Sequence, residues 1–175
     1  MSESSVRIRP ARSGVRGEIR QGKPFRSRRQ EGAIALLRTA SVVRRAIGRV
    51  IEPHGLSLAQ YNALRIVRGA GAEGVATLAI RERMIEEGTT ITRLLDKLEE
   101  AELILRERSA TDRRQVVCRV TEAGRKLLDK LDPQVDRADE LTMAALSRRQ
   151  LDSLITLLDT VRATNAERGA AAHQR

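Results

Sequence analysis

The stretch from Gly88 to Glu99 constrains this chain most, because its apolar residues fall at Ile91, Leu94, Leu95 and Leu98. That is the i, i+3, i+4, i+7 spacing of a helix with one buried stripe. The opposite face carries Thr89, Arg93 and Asp96, flanked by Thr90, Thr92 and Lys97. Short hydroxyls, a guanidinium and an ammonium near the first turns make a face that can enter a DNA major groove. The helix N-terminus adds unpaired N–H groups that favour phosphate. A solvated surface helix shows the same amphipathic pattern, so the sequence around this stretch has to decide between them.

Composition narrows what surrounds it. Phe25 and Tyr61 are the only aromatic residues and there is no Trp, so the core must be built from Leu, Ile, Val and Ala, which suits packed helices better than a β-sandwich. A chain of 175 residues has room for one domain plus an appended dimerisation element. The net charge of +10 favours polyanions such as nucleic acid. Residues 1 to 30 hold nine Lys or Arg against Glu3 and Glu18, so seven of those ten positive charges sit in the first 30 residues. Cys118 is the only cysteine, which excludes an intramolecular disulfide and any multi-Cys zinc site and fits a reducing cytoplasm. The first 30 residues lack the apolar run of a signal peptide. No stretch approaches the ~20 apolar residues that span a bilayer, so the expectation is a cytoplasmic protein with no membrane partner.

In chain order, residues 1 to 30 are rich in Ser, Gly and Arg and read as a flexible basic arm, either a solvated tail or an arm docking on DNA phosphates or a minor groove. Phe25 after Pro24 would pin its end to the core. Glu31 to Pro53 reads as one long helix, with Ile34, Leu37, Val43, Ile47, Val50 and Ile51 near one stripe, ended by Pro53 and Gly55. Ser57-Leu58-Ala59-Gln60 matches a capping box and predicts a second helix over 58–69. Thr77 is the expected N-cap of a short third helix, with Leu78, Ile80 and Met84 inward and Arg81 and Arg83 outward. After the amphipathic stretch come residues 103–108, a turn at Ser109-Ala110-Thr111-Asp112, and the alternating run Gln115 to Thr121. Val116, Cys118 and Val120 share one face of that run, so the two strands form a β-hairpin with Asp112-Arg113-Arg114 at its tip. Thr121 can cap a further helix carrying Leu127, Leu128 and Leu131, which Pro133 bends or interrupts. Ser147-Arg148-Arg149-Gln150 is a second capping box, opening a last helix with Leu151, Leu154, Ile155, Leu158 and Val161 that frays from Asn165. Helix, turn, helix and basic hairpin in that order describe a winged helix-turn-helix, so the expected fold class is mainly α with a small β wing. The expected domains are the arm at 1–30, dimerisation helices at 31–54 and 125–165, the DNA-binding domain at 55–124 and a flexible tail at 166–175.

Four pieces of this pattern carry a resemblance: Gly55-Leu56-Ser57-Leu58-Ala59-Gln60-Tyr61, Ile91 to Glu99, Asp112-Arg113-Arg114 and Thr121-Glu122-Ala123-Gly124. With them in this order and spacing, the chain resembles the MarR family of bacterial transcriptional regulators over about residues 55–131. The resemblance implies a homodimer with intertwined terminal helices, two winged lobes on a pseudo-palindromic operator of double-stranded DNA, and an anionic aromatic effector whose binding releases the DNA. It puts Thr89, Thr90, Thr92 and Arg93 in the major groove, with Lys97 on the same helix, where Arg pairs bidentately with guanine and Thr meets a thymine methyl or phosphate. Asp112 would fix the wing by pairing with an arginine of the loop, leaving Arg113 or Arg114 for the minor groove. Thr77, Arg81 and Arg83 would meet DNA phosphates. His54, Tyr61 and Arg65 lie on or near the second helix that would wall an effector pocket, although a Tyr packed in the core explains Tyr61 equally well.

Two departures from the family pattern stand out. Glu102 occupies the place where relatives have Gly after the recognition helix, and Glu86, Glu87, Asp96, Glu99 and Glu100 leave the recognition region poor in positive charge. Cys118 on the wing strand reads as a buried structural thiol, with a redox-sensing regulator as its alternative. His54 and His173 are the only histidines and make no zinc site, so no metal and no cofactor is expected. No paired carboxylate or Ser/His/Asp set has supporting spacing, so an enzyme is not expected. The competing functional classes are a constitutive DNA-organising protein, which would show little sequence preference, and a winged-helix module for protein contacts, in which the wing arginines would not matter.

Overall fold

The structure is a computed structural model that describes residues 14–86, 90–109, 112 and 114–173, with side chains described as far as residue 165. The chain divides into two compact units, Met1–Ala46 and Ile47–Arg175.

The first unit holds α1 (Gly14–Glu18) and most of α2 (Arg28–Ile51). The start of α2 lies ahead of the expected Glu31 because Ser27 caps it. Ser27 Oγ accepts from Gln30 N at 3.1 Å, and the Gln30 side chain accepts from Arg26 N at 2.8 Å. The Ser-x-x-Gln pattern at 27–30 was the available signal. Residues 14–30, expected to belong to a flexible arm, contain α1 and the first residues of α2, and Arg16 of α1 donates to the carbonyls of Gln21 at 3.1 Å and Gly22 at 2.8 Å. Glu18 accepts from Arg38 Nε at 3.1 Å. The rest of the expected arm, 1–13, lies outside the described residues.

In the second unit the last turn of α2 runs into a short 3₁₀ turn at Glu52–His54, ended by Gly55 in the left-handed region at φ +76°. α3 (Leu58–Gly69) then opens on the complete capping box formed by Ser57 and Gln60. β1 (Val75–Ala76) leads into α4 (Thr77–Arg83), and α5 (Ile91–Glu100) is followed by β2 (Ile104–Arg108) and β3 (Val116–Val120). α6 (Glu122–Met143) and α7 (Arg148–His173) complete the order. The three strands form one antiparallel sheet in the order β1-β3-β2, with Arg106 opposite Cys118 and Val75 opposite the same residue from the other side. A two-residue strand carries no alternation, so β1 was not legible in the sequence; Gly74 before it marks its start. A Cβ at Gly74 would stand 2.7 Å from the Cys118 carbonyl oxygen.

The core forms where the stripe of α5 meets α3, α6 and the sheet. Leu94, Leu95 and Leu98 are buried together with Tyr61, Leu64, Val67, Ile80, Ile104, Cys118, Leu128 and Leu131. No helix among the described residues is long and apolar enough to cross a membrane.

Four local expectations are corrected. Thr77 does not cap α4, since its hydroxyl donates to the Val116 carbonyl at 3.3 Å and joins the helix to the wing instead. Leu78 faces outward at 58% exposure, because in so short a helix only Ile80 reaches the core fully. Pro133 does not interrupt α6, whose Leu131 and Val135 are buried on either side of it, so packing outweighs one missing hydrogen bond. α7 continues to His173, past the expected fraying at Asn165.

One junction holds α5, the hairpin of β2 and β3, and α6 together. α5 ends with Leu103 N donating to Leu98 O at 2.9 Å and Glu102 N to Glu99 O at 2.8 Å, a full Schellman motif. Glu102 takes the left-handed position at φ +57° that a glycine would fill without strain. Thr121 N donates to Leu103 O at 3.1 Å, while Thr121 Oγ1 donates to Glu102 O at 2.7 Å and accepts from Gly124 N at 3.0 Å. A Cβ on Gly124 would stand 2.2 Å from Leu103 O, which explains why glycine follows the Thr-x-x cap. Gly124→Ala should therefore destabilise the fold by about 3 kcal/mol or more. Glu102→Gly should stabilise it by up to about 1 kcal/mol, since the left-handed penalty exceeds the added chain entropy. Thermal melts of the two variants should shift in opposite directions.

Candidate nucleic-acid interface

Burying Leu94, Leu95 and Leu98 forces the remaining faces of α5 outward. Thr90, Thr92, Arg93 and Lys97 are all exposed, and Arg93 forms no hydrogen bond or ion pair among the described residues. Thr89 lies outside the described residues. The turn that leads into α5 is anchored to α3, where the Asn62 side-chain carbonyl accepts from Ile85 N at 2.9 Å.

Two of the three acidic residues of the helix, Asp96 and Glu99, are drawn to one arginine of the wing, while Glu100 is exposed. Arg106, at the middle of β2, sends Nη2 to Asp96 Oδ1 at 2.7 Å and to Glu99 Oε2 at 2.6 Å. Its Nε donates to Glu99 Oε2 at 2.7 Å, and its backbone N–H donates to Glu99 Oε1 at 3.2 Å. Glu99 thus closes the open edge of the wing sheet, which would otherwise present an unpaired N–H. The hydrogen bond to Glu99 holds the Arg106 guanidinium above its ordinary pKa, with Asp96 adding to it and burial opposing it. The sequence signal for this clamp was the i, i+3 pair Asp96 and Glu99 followed by a basic residue on the next strand, a pattern of no specificity by itself.

The tip of the wing is set by Asp112. Its carboxylate accepts from Arg114 N at 3.0 Å and from Gln115 Nε2 at 3.0 Å, and its own N–H donates to Ser109 Oγ at 3.2 Å. Among the described residues the aspartate fixes the backbone of the turn, an Asx-type arrangement, and no ion pair joins it to the Arg114 side chain. The Arg114 side chain is exposed, and Arg113 lies outside the described residues. Arg119 braces the wing from below, donating to Ala72 O at 2.9 Å and to Glu107 at 2.7 Å. A cleft of about 620 Å³ opens between α4, the start of α5 and the wing. It brings together Thr77, Arg81, Thr92 and Arg114. Arg83 is exposed at the end of α4, and the Thr77 hydroxyl is already spent on Val116.

Of the expected effector residues, Tyr61 and Arg65 sit elsewhere, where α3 meets α6. Tyr61 is 3% exposed, and its hydroxyl donates to Asp132 Oδ1 at 2.6 Å. Burial, then the hydrogen bond to Asp132, push its pKa far up, so the phenol stays protonated and donating. Arg68 pairs with Asp132 and, at 3.4 Å, with Asp129. Arg65 reaches Asp132 at 3.9 Å and lies 5.7 Å from the centre of the Tyr61 ring. Burial works to raise the Asp132 pKa, but the Tyr61 hydroxyl and the Arg68 and Arg65 guanidiniums together hold it below the ordinary carboxylate range. His54 is half buried in the 3₁₀ turn. Cys118 is fully buried, and burial pushes its thiol pKa up, which disfavours the reactive thiolate a redox sensor needs. Among the described residues no group of three or more His, Cys, Asp or Glu is placed to hold a metal ion.

Known proteins share this architecture. A family described as transcriptional regulator SarA/Rot matches residues 45–131. The chain is 28% identical over 130 residues to the HTH-type transcriptional regulator MhqR of Bacillus subtilis, covering 73% of this chain and 87% of that protein. It is similar to a MarR transcription factor from Planctomyces limnophilus, at 36% identity and a TM-score of 0.60, over 78% of this chain and 99% of that one. CouR from Rhodococcus jostii, solved with bound p-coumaroyl-CoA, matches with 26% identity and a TM-score of 0.67, over 78% of this chain and 95% of CouR.

The Tyr61–Asp132–Arg68 network makes stability depend on pH with a definite sign. Because the folded-state pKa of Asp132 is depressed, its contribution is present above the unfolded value of about 4 and is lost as pH falls through the folded value. Asp132→Asn should cost roughly 1–3 kcal/mol at neutral pH. The gap to the parent should close below about pH 4 in urea titrations run across that range.

Proposed function

This chain belongs to the MarR family of transcriptional regulators, and on that premise we propose that it is a repressor that binds a pseudo-palindromic operator as a homodimer. The observation that carries this reading is the pairing of a buried leucine stripe with an open row of Thr90, Thr92, Arg93 and Lys97 on α5, beside the wing arginine Arg114. In this reading residues 55–124 form the DNA-binding lobe. Arg93 pairs with a guanine edge in the major groove, with Thr89, Thr90 and Thr92 beside it and Lys97 one turn further along the helix. Arg113 and Arg114 track the narrow minor groove, held in place by the turn that Asp112 organises. Arg81 and Arg83 supply phosphate contacts, with the backbone at Thr77 nearby.

Residues 31–54 and 125–165 make the dimer. No residue of α7 through Asn165 is buried in the single chain, and Ile155, Leu157 and Val161 of α7 join Leu141 of α6 as exposed large apolar residues. In the first unit Leu36, Leu37 and Val42 are exposed as well. So many open apolar side chains on helices are the mark of a symmetric partner surface. The operator is released by a small anionic or aromatic effector. CouR, with its bound aromatic acyl-CoA, supports that chemistry. Here Arg65 supplies the exposed charge, His54 in the turn before α3 is a further candidate, and Tyr61 contributes its ring as a floor, its hydroxyl being committed to Asp132.

Light scattering should report about twice the chain mass of 19.4 kDa, and a monomer at micromolar concentration would overturn the dimer. On the operator, Arg93→Ala should cost about 1–3 kcal/mol and flatten preference at one position of each half-site. Arg114→Ala should lose affinity chiefly where A·T-rich flanks narrow the minor groove. Binding assays on operator variants changed at the half-site centre or in the flanks separate the two. If Arg93→Ala discriminates among centre variants as the parent does, α5 is not the reading element.

A further inference from the structure

α5 is an acidic helix in a protein of net charge +10: Asp96, Glu99 and Glu100 sit on the element that the reading above places against phosphates. Two of these three carboxylates face one guanidinium. We propose that Arg106 is a positioning residue for DNA binding, acting without touching DNA by holding Asp96 and Glu99 in ion pairs that cancel their charge beside Arg93 and Lys97. The inference rests on the reading of α5 and the wing as the DNA-binding surface.

The geometry argues for that role. Arg106 lies mid-strand in β2, so its backbone is held by the sheet and its side chain spans from wing to helix. The four bonds, from 2.6 to 3.2 Å, engage one residue of the wing with two residues one turn apart on α5. A planar fork meeting two carboxylates fixes orientation in a way a lysine ammonium cannot. The side chains of Asp96 and Glu99 are 41% and 37% exposed, against 24% for Arg106. Without the guanidinium, two negative charges would therefore stand in solvent beside Arg93 and Lys97, where they would repel a phosphate backbone and attract those two side chains away from it. Arg93 has no partner among the described residues, and the clamp is what keeps the nearby carboxylates from becoming one.

The test uses the full chain and a duplex that the parent protein selects from a random-sequence pool. Arg106→Met should weaken binding to that duplex by about tenfold or more at about 50 mM salt, and the loss should narrow at about 300 mM, where charge repulsion is screened. A defect of packing alone would not respond to salt in that way. Adding D96N and E99Q to R106M should restore most of the lost affinity, because the carboxylates that the arginine covered are gone. If R106M binds like the parent, or if the triple variant stays as weak as R106M, the inference is overturned while the DNA-binding reading stands. If the parent selects no duplex, that reading fails and takes this inference with it. Should R106M lose its melting transition, the D96N and E99Q variants carry the test in the parent background. Each frees part of the Arg106 charge and should raise affinity by about threefold, and no change would overturn the proposal.

Discussion

The Leu103 carbonyl and the residues around it decide the geometry of everything that could meet DNA. Within the span from Leu98 to Gly124, α5 ends, β2 begins, β3 ends and α6 starts. The four events are tied by backbone groups at Glu102, Leu103 and Thr121 together with the Thr121 hydroxyl. Because Leu103 O comes within 2.2 Å of where a Cβ on Gly124 would lie, α6 packs against this carbonyl as closely as a backbone allows. Side-chain chemistry on α5 and the wing can vary freely only because this junction uses so few side chains. The Thr-x-x-Gly segment that looks like a family signature is thus a steric requirement, and Glu102 shows that the neighbouring left-handed position tolerates a non-glycine residue at modest cost.

A second layer of order is electrostatic. Arg106 draws together Asp96 and Glu99, Arg119 braces Glu107 and the Ala72 carbonyl, and Arg68 and Tyr61 converge on Asp132 between α3 and α6. Each pairing joins two different elements, and each spends an arginine that composition alone would have counted toward DNA affinity. Arg93, Arg81, Arg83 and Arg114 stay exposed. Within the lobe, positive charge is divided between arginines that hold the fold and arginines left open.

The sequence carried most of the fold because its signals were local. The spacing of Ile91, Leu94, Leu95 and Leu98 located α5, Ser57 with Gln60 started α3, and Thr121 with Gly124 started α6, since periodicity and capping are written within one or two turns. Where a local rule met a packing force, the local rule lost. Pro133 sits inside α6 because the residues around it are buried, and Thr77 gave up its capping role for a bond to the wing. β1 escaped notice because two residues cannot show a period, and its pairing with β3 is a contact over some forty residues of chain.

For the candidate interface the division is similar. Amphipathic spacing alone determined which residues of α5 turn outward, because a helix that buries three leucines on one stripe has no freedom about the rest. Only the tertiary structure decided what those outward residues have for neighbours. That Asp96 and Glu99 are held by Arg106, that Asp112 organises a turn backbone, and that Tyr61 is bound to Asp132 all follow from how α3, α5, α6 and the wing come together. The physical reason is range. Hydrophobic period is a property of adjacent turns, whereas an ion pair forms between any two charges the fold brings within a few ångströms, and no spacing in the chain records which two those are.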